Sequence, residues 1–421
     1  MWCVMLVALG ASPQALDLSQ VADGARLPEV VWQQAPELHD ARVRLAAAEA
    51  DRKRALRLPN PGLDVGLNTL PIGPLNPPGL ADPFLNVPNV AIGLSVLLEL
   101  GKREPRQEAT AEAARAAALD ALDVVRRRTL DLEEVIGDVA AAQVRVDALT
   151  NLADDARRLS ELQTARASKG DTSELDADRA RLELEGTLTA LGEAREQLQA
   201  ALRGCVEIVA VPCAPFADVK QANAWLDRAL DVKSGPVEKR ADLRSLEAAV
   251  RSARAAQRLA QNRWIPDPTV RVGYVRDQFV ISGNQQNSLF VGFSIPLPFF
   301  EHGQDDAEAA GVAAQSAERA RDALVAAARS QLETLGAELT AVEARQKRVR
   351  EQSLPLARSV VERLEAAVSR GAAPLQELIL SRRTLAELLL TAAELDRTDF
   401  HLHVARARLG SSLDALPELN P

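Results

Sequence analysis

Histidine and cysteine give a chain most of its scope for metal or nucleophilic chemistry, and both are sparse here: four histidines and three cysteines in 421 residues. His401 and His403 stand two apart in a helical pattern, which turns them to different faces and away from a shared metal ion. His39 and His302 are isolated. No phosphate loop, nucleophile elbow or metalloprotease spacing occurs, so the sequence offers no catalytic centre and calls for no cofactor. Both methionines, Met1 and Met5, fall in an apolar N-terminal stretch, which excludes a thioether relay for copper. Cys205 and Cys213 lie eight apart in a segment rich in Val and Pro. As a metal pair they lack a further Cys or His nearby, and in an oxidising compartment so short a loop favours a disulfide.

The compartment is read from residues 1–15. Trp2 to Ala11 is apolar and leads into Ser12-Pro13-Gln14-Ala15, the pattern of a secretory signal cleaved after Ala15, although the usual basic start is missing. Cys3 would leave with it. The alternative is an apolar terminus on a cytosolic chain. Net charge is -9, which argues against a nucleic-acid partner. No run of 18 apolar residues occurs, so no helix of the sequence is built to span a bilayer. Aromatics are 3% of residues and charged residues 26%, a balance that suits elongated, closely packed helices better than one globular core.

The elements that would position any site come in two copies. Leu38 matches Leu243, Pro59-Asn60-Pro61 matches Pro266-Asp267-Pro268, and Gly93-Leu94-Ser95-Val96 matches Gly292-Phe293-Ser294-Ile295. The first copy covers 16–203, with strands at 63–70 and 89–98 and a helical hairpin over 104–203. A linker runs over 204–238. The second copy covers 239–421, with strands at 269–277 and 288–297 and a hairpin over 303–410. In the strands Leu63, Val65 and Leu67 alternate with Asp64, Gly66 and Asn68, and Val270, Val272 and Tyr274 with Arg271 and Gly273. One face is therefore apolar and the other small or polar, an alternation shared by soluble sandwiches and membrane barrels.

The helices are set by heptads. Val125, Leu132, Val139, Val146 and Ala153 recur seven apart, as do Val325, Leu332 and Leu339, and then Leu354, Val361 and Val368, where Pro355 should kink the helix. Leu184, Leu191 and Leu198, and Leu388, Leu395, Leu402 and Leu409, mark the return helices. A helix of some 65 residues reaches on the order of 100 Å.

With VAIGLSVLLELGKR (90–103) and VGFSIPLPFFEHGQDDAEAA (291–310) each leading into a long helix, the doubled order resembles the TolC-type outer-membrane efflux channels over nearly the whole chain after residue 15. IPLPFFEHGQ and PDPTVRVGY are most similar to the outer-membrane component of heavy-metal exporters of the resistance-nodulation-division type. The resemblance implies a mostly α fold with a small β part, built as a homotrimer. Each subunit gives four strands to a twelve-stranded barrel in outer-membrane lipid and its helical hairpins to a periplasmic tunnel. Four strands cannot close a barrel alone, and an open edge in lipid leaves backbone groups unsatisfied. The implied partners are a periplasmic adaptor (membrane fusion) protein and an inner-membrane pump. Ala91, Gly93, Ser95, Gly292 and Ser294 would face the lumen, and Trp264, Phe299 and Phe300 would stand at a membrane interface.

Loops at 71–89 and 277–287 would lie outside the cell, and the turns at 168–175 and 369–375 at the periplasmic tip. Gly170 and Gly371 suit the ends of the outgoing helices, and Thr172 or Ser173 and Pro374 the next starts. In such channels the tip narrows to a gate, which makes Asp171, Glu174, Asp176 and Glu377 its candidate carboxylates. Rings of carboxylates concentrate cations, while the same residues at a helix start would also complement its dipole. Arg158 and Arg363, before the tips, are candidates to bind acidic groups across subunits, and surface solvation accounts for them equally well. Heavy-metal cations are the expected cargo, with drugs or a type I secreted polypeptide as the alternative. A coiled-coil scaffold would explain the heptads but not the paired strands.

Overall fold

The computed structural model describes residues 16–21, 24, 26–70, 72, 82–228, 236–278 and 285–410. The expected signal at 1–15, much of the loop at 71–89 and the middle of that at 277–287 lie outside the described residues. In chain order the elements are β1 (Leu16–Asp17), α1 (Leu27–Gln34), α2 (Leu38–Leu56), β2 (Gly62–Asn68), α3 (Pro83–Asn86), β3 (Asn89–Leu97), α4 (Arg103–Ser168), α5 (Glu174–Val209), β4 (Cys213–Ala214) and α6 (Val219–Arg228). There follow α7 (Ala241–Gln261), β5 (Thr269–Asp277), β6 (Asn287–Ser294), α8 (Gln304–Arg348), a π-helical turn (Val349–Ser353), α9 (Leu354–Ser369) and α10 (Leu375–Gly410). Among the described residues no helix is long and apolar enough to cross a membrane. The chain divides into two compact units, and each draws on both sequence copies.

One unit, Val43–Ala118 with Ser245–Asp322, holds the strands. They form one antiparallel sheet in the order β2-β3-β5-β6, so the two copies join through β3 and β5 and leave β2 and β6 as edges. The register sets Val65 beside Ile92, Ile92 beside Tyr274, and Tyr274 beside Leu289. Because side chains alternate along each strand, this alignment gathers the apolar residues of all four strands on one face. That face is uncovered, with Leu289 83%, Phe293 72% and Val65 70% exposed.

Local chemistry ends the strands. β2 stops at Asn68, short of the expected residue 70, because Thr69 takes a left-handed φ of 58°. β6 stops at Ser294 rather than 297, since Pro296 and Pro298 have no N–H to offer a ladder. Past β3, the Asp267 carboxylate accepts from Leu100 N at 2.9 Å and from Lys102 Nζ at 2.7 Å, and Arg106 forks onto Glu99, fixing where α4 begins. α7 packs on the first turns of α4 through two serines one heptad apart. Ser245 Oγ donates to the Ala116 carbonyl at 3.2 Å and Ser252 Oγ to that of Ala109 at 2.8 Å.

The other unit is formed by the described parts of Met1–Arg42, Leu119–Arg244 and Ala323–Pro421. Its main core brings Trp32 of α1 and Trp225 of α6 together with Val125, Leu132, Ile136 and Val139 of α4 and Phe400 and Val404 of α10. Arg42 stacks over Trp32 at 4.5 Å and Arg228 over Trp225 at 3.9 Å. β1 pairs in parallel with β4, Leu16 beside Cys213, and a disulfide joins Cys213 to Cys205 near the end of α5, with the two Cα atoms 6.2 Å apart. The seams behave as the heptads require: Val125, Leu132, Val139 and Ala153 are buried on α4, and Leu339, Leu354, Val361 and Val368 in the second hairpin. Leu339 and Leu354 are one residue more than two heptads apart. The π-helical turn between them takes up the extra residue, and Pro355 sits in the first turn of α9, where a missing N–H costs least. The expected kink is thus a wide turn just before the proline.

Candidate functional site

The expected gate residues lie where two helical hairpins turn, and both turns are built alike. At the end of α4, Gly170 has φ 77° and Asp171 N reaches back to the Arg166 carbonyl at 2.9 Å. At the end of α9, Gly371 has φ 71° and Ala372 N reaches the Ala367 carbonyl at 2.9 Å. This is the Schellman closure, and glycine takes its left-handed position because a Cβ there would be strained. Below the turns, Leu159, Ala180, Val361, Val368, Leu375 and Leu378 form one apolar cluster joining α4, α5, α9 and α10.

The four carboxylates divide by role. Asp176 is committed to starting α5: its N–H donates to Ser173 Oγ at 3.1 Å, and Ser173 Oγ donates to Asp176 Oδ2 at 2.8 Å. Arg179 lies 3.3 Å from its other oxygen. Asp171, Glu174 and Glu377 are exposed, and among the described residues none has an ion-pair partner. Arg158 is 80% exposed beside Asp155, and Arg363 donates to Ser359 Oγ at 2.7 Å on its own helix. Near the tips helices are tied together by Arg382, which the sequence reading did not single out. From α10 it donates to Glu365 of α9 at 2.5 Å and to the Asp155 carbonyl of α4 at 3.3 Å.

A second polar cluster also went unread. His401 of α10 sets Nδ1 2.9 Å from Glu134 and Nε2 2.8 Å from Asp138, both on α4. Arg397 reaches Asp138 at 2.7 Å, and Arg408 reaches Asp131 at 2.9 Å and also Glu134. The carboxylates of Asp138 and Glu134 push the His401 imidazole up to about 9, so it is a cation at neutral pH. The bond from His401 holds Glu134 below the usual carboxylate range. For Asp138, burial pushes upward, but His401 and Arg397 together outweigh it and leave its pKa lowered. His403 turns instead toward Asp399, 3.9 Å away, so the two histidines do not share a ligand. Among the described residues no group of His, Cys, Asp and Glu converges as a metal site.

Next to this seam α4, α5 and α10 enclose a cavity of about 440 Å³ lined by Ala141, Ala142, Ala200, Ala201 and Ala393, with Asp138 and Arg397 at its polar side. Small residues let the helices approach and leave the space; nothing nucleophilic lines it.

The described residues combine a sheet that has an uncovered apolar face and two open edges with helical hairpins in which no helix is long and apolar enough to cross a membrane. Residues 27–208 match the model of the outer membrane efflux protein family. Over 243 residues, 55% of this chain, it is 29% identical to the cobalt-zinc-cadmium resistance protein CzcC of Cupriavidus metallidurans. That match spans about half (55%) of the relative's length. The fold is similar to that of the outer membrane protein VceC of Vibrio cholerae, with a TM-score of 0.72 at 17% identity over 94% of this chain and 98% of that one. It is equally similar to CusC, with a TM-score of 0.72 at 14% identity over 96% and 95% of the two chains.

Proposed function

We propose that this chain is a passive exit duct of the outer membrane, in which three copies close a twelve-stranded barrel and their hairpins line a periplasmic tunnel. The observation that carries the reading is the four-stranded sheet: its apolar face is largely exposed and each edge strand has one side unpaired, a state that lipid and neighbouring copies would satisfy together. The duct does no chemistry of its own. An inner-membrane pump supplies the energy, and a periplasmic adaptor meets the tips.

Metal cations are the cargo this reading favours. The support is the likeness to a cobalt-zinc-cadmium resistance protein and the three exposed, unpaired carboxylates Asp171, Glu174 and Glu377 at the tips. Threefold repetition would make rings of them, and a ring of carboxylates raises the local cation concentration. The test is detergent-extracted protein that scatters light as a trimer and, once reconstituted, conducts with cation preference. Glu174→Gln with Glu377→Gln should move the reversal potential in a salt gradient toward zero with the trimer intact. A water-soluble monomer would reject the duct; an unmoved potential would leave these carboxylates as helix-start residues only.

A further inference from the structure

The face of the sheet opposite the apolar one departs from its own pattern at one residue. Read across the strands, one row runs Asp64, Gly93, Gly273, Phe290. Every other aromatic of the strands points to the apolar face. Phe290 points away from it, yet is half-buried, whereas its strand neighbours Leu289 and Val291 are 83% and 65% exposed.

The two glycines explain the shelter. A Cβ at Gly273 would stand 2.5 Å from Phe290 Cε1 and 2.6 Å from the Ile92 carbonyl oxygen, and one at Gly93 would stand 3.1 Å from Phe290 Cζ. Neither glycine needs a left-handed backbone. What both supply is space: a trough two strands wide, floored by backbone, in which the ring lies flat along the sheet. A glycine inside a strand weakens it unless something approaches the backbone closely, and here the ring does.

We propose that this trough stows Phe290 against the barrel wall and that Phe290 is thereby the residue setting the width of the duct at this level. The inference rests on the reading of this face as the wall of a lumen. A twelve-stranded barrel is roughly 24 Å across between backbones, so three phenyl rings lying down or standing up differ substantially in what they let pass. Filling the trough would force the ring to another rotamer, off the wall and toward the axis. A small hydrated cation would still pass, and a bulky solute would be slowed.

The test uses Ser294→Cys, four residues from Phe290 on the same face and toward the helical end of the strand, as a reporter labelled from outside the cell. Cys205 and Cys213 are joined to each other and leave no competing thiol among the described residues. A small charged maleimide and a bulky polymer-linked one should both label the reporter. Adding Gly93→Val should slow the bulky reagent about tenfold and leave the small one unchanged, and adding Phe290→Ala to that pair should restore the bulky rate. Equal bulky labelling with and without Gly93→Val overturns the proposal, and so does a slowing that Phe290→Ala does not relieve, since the valine itself or a distorted sheet would then be the obstacle. If even the small reagent fails to reach Ser294→Cys without Gly93→Val, it is the lumen reading beneath that falls.

Discussion

Trp32 and Trp225 are 2% and 1% exposed, while Leu289, Phe293 and Val65, also strongly apolar, are 83%, 72% and 70% exposed. In the tryptophan-centred core each large side chain is enclosed by helices of its own chain, and arginine stacking completes the cover. The sheet has the same order, with an unbroken ladder and consistent register, but encloses nothing on its apolar face. Order without burial means that the sequence of the sheet is patterned for a solvent other than water, whereas that of the core is complete in water. Substitutions of one kind should therefore behave differently in the two regions.

The largest difference is expected from aromatic truncation. Trp225→Ala should cost about 3–5 kcal/mol in guanidinium unfolding. Phe293→Ala, already facing solvent, should cost less than about 1 kcal/mol in the same measurement. Equal costs would break the comparison. Charge makes the converse test: Val291→Arg should oppose membrane insertion by about 2–4 kcal/mol, seen as loss of trimer from the membrane fraction, while Ser288→Arg on the other face of the same strand should insert normally.

Smaller effects sharpen the contrast from the helical side. Cys205→Ser with Cys213→Ser opens a short loop and should lower stability by about 2–3 kcal/mol in the chain-entropy account, measured by denaturation with the thiol pair as the only change. Last comes His401. Its folded pKa of about 9 lies above the ordinary value of 6.5, so the stabilisation it brings is complete below about pH 6.5 and is lost as pH rises through 9. Allowing for solvent screening of a partly exposed pair of carboxylates, this is about 1–2 kcal/mol. His401→Gln should therefore be less stable than the parent at pH 6 and equal to it at pH 10; a gap of constant size would show that the imidazole charge contributes nothing.

How much could be read in advance depended on the range of the interaction. The strands were legible because a period of two is a local signal and the duplication repeats it. The tip glycines were legible because a Schellman turn asks for glycine at one position. The His401 cluster was not, since its partners Glu134 and Asp138 are 267 and 263 residues away. A signal did exist, in the acidic positions 131, 134 and 138 on one seam and the basic positions 397, 401 and 408 on another, but it is visible only once the two seams are known to meet. Trp32 and Trp225 were passed over because isolated aromatics carry no period. Phe290 was hidden by its own strand: the face opposite the apolar one reads as small or polar, and one ring fitted to glycines two strands deep shows only in the register.

The π-helical turn at Val349–Ser353 makes the seam of the second hairpin sensitive to length. Leu339 and Leu354 stand one residue off the heptad spacing, and the backbone widens locally between them so that the seam beyond keeps its face. Deleting one residue of that turn would rotate every later position of the helix by about 100° relative to those before it and present polar side chains where the seam needs Leu354, Val361 and Val368.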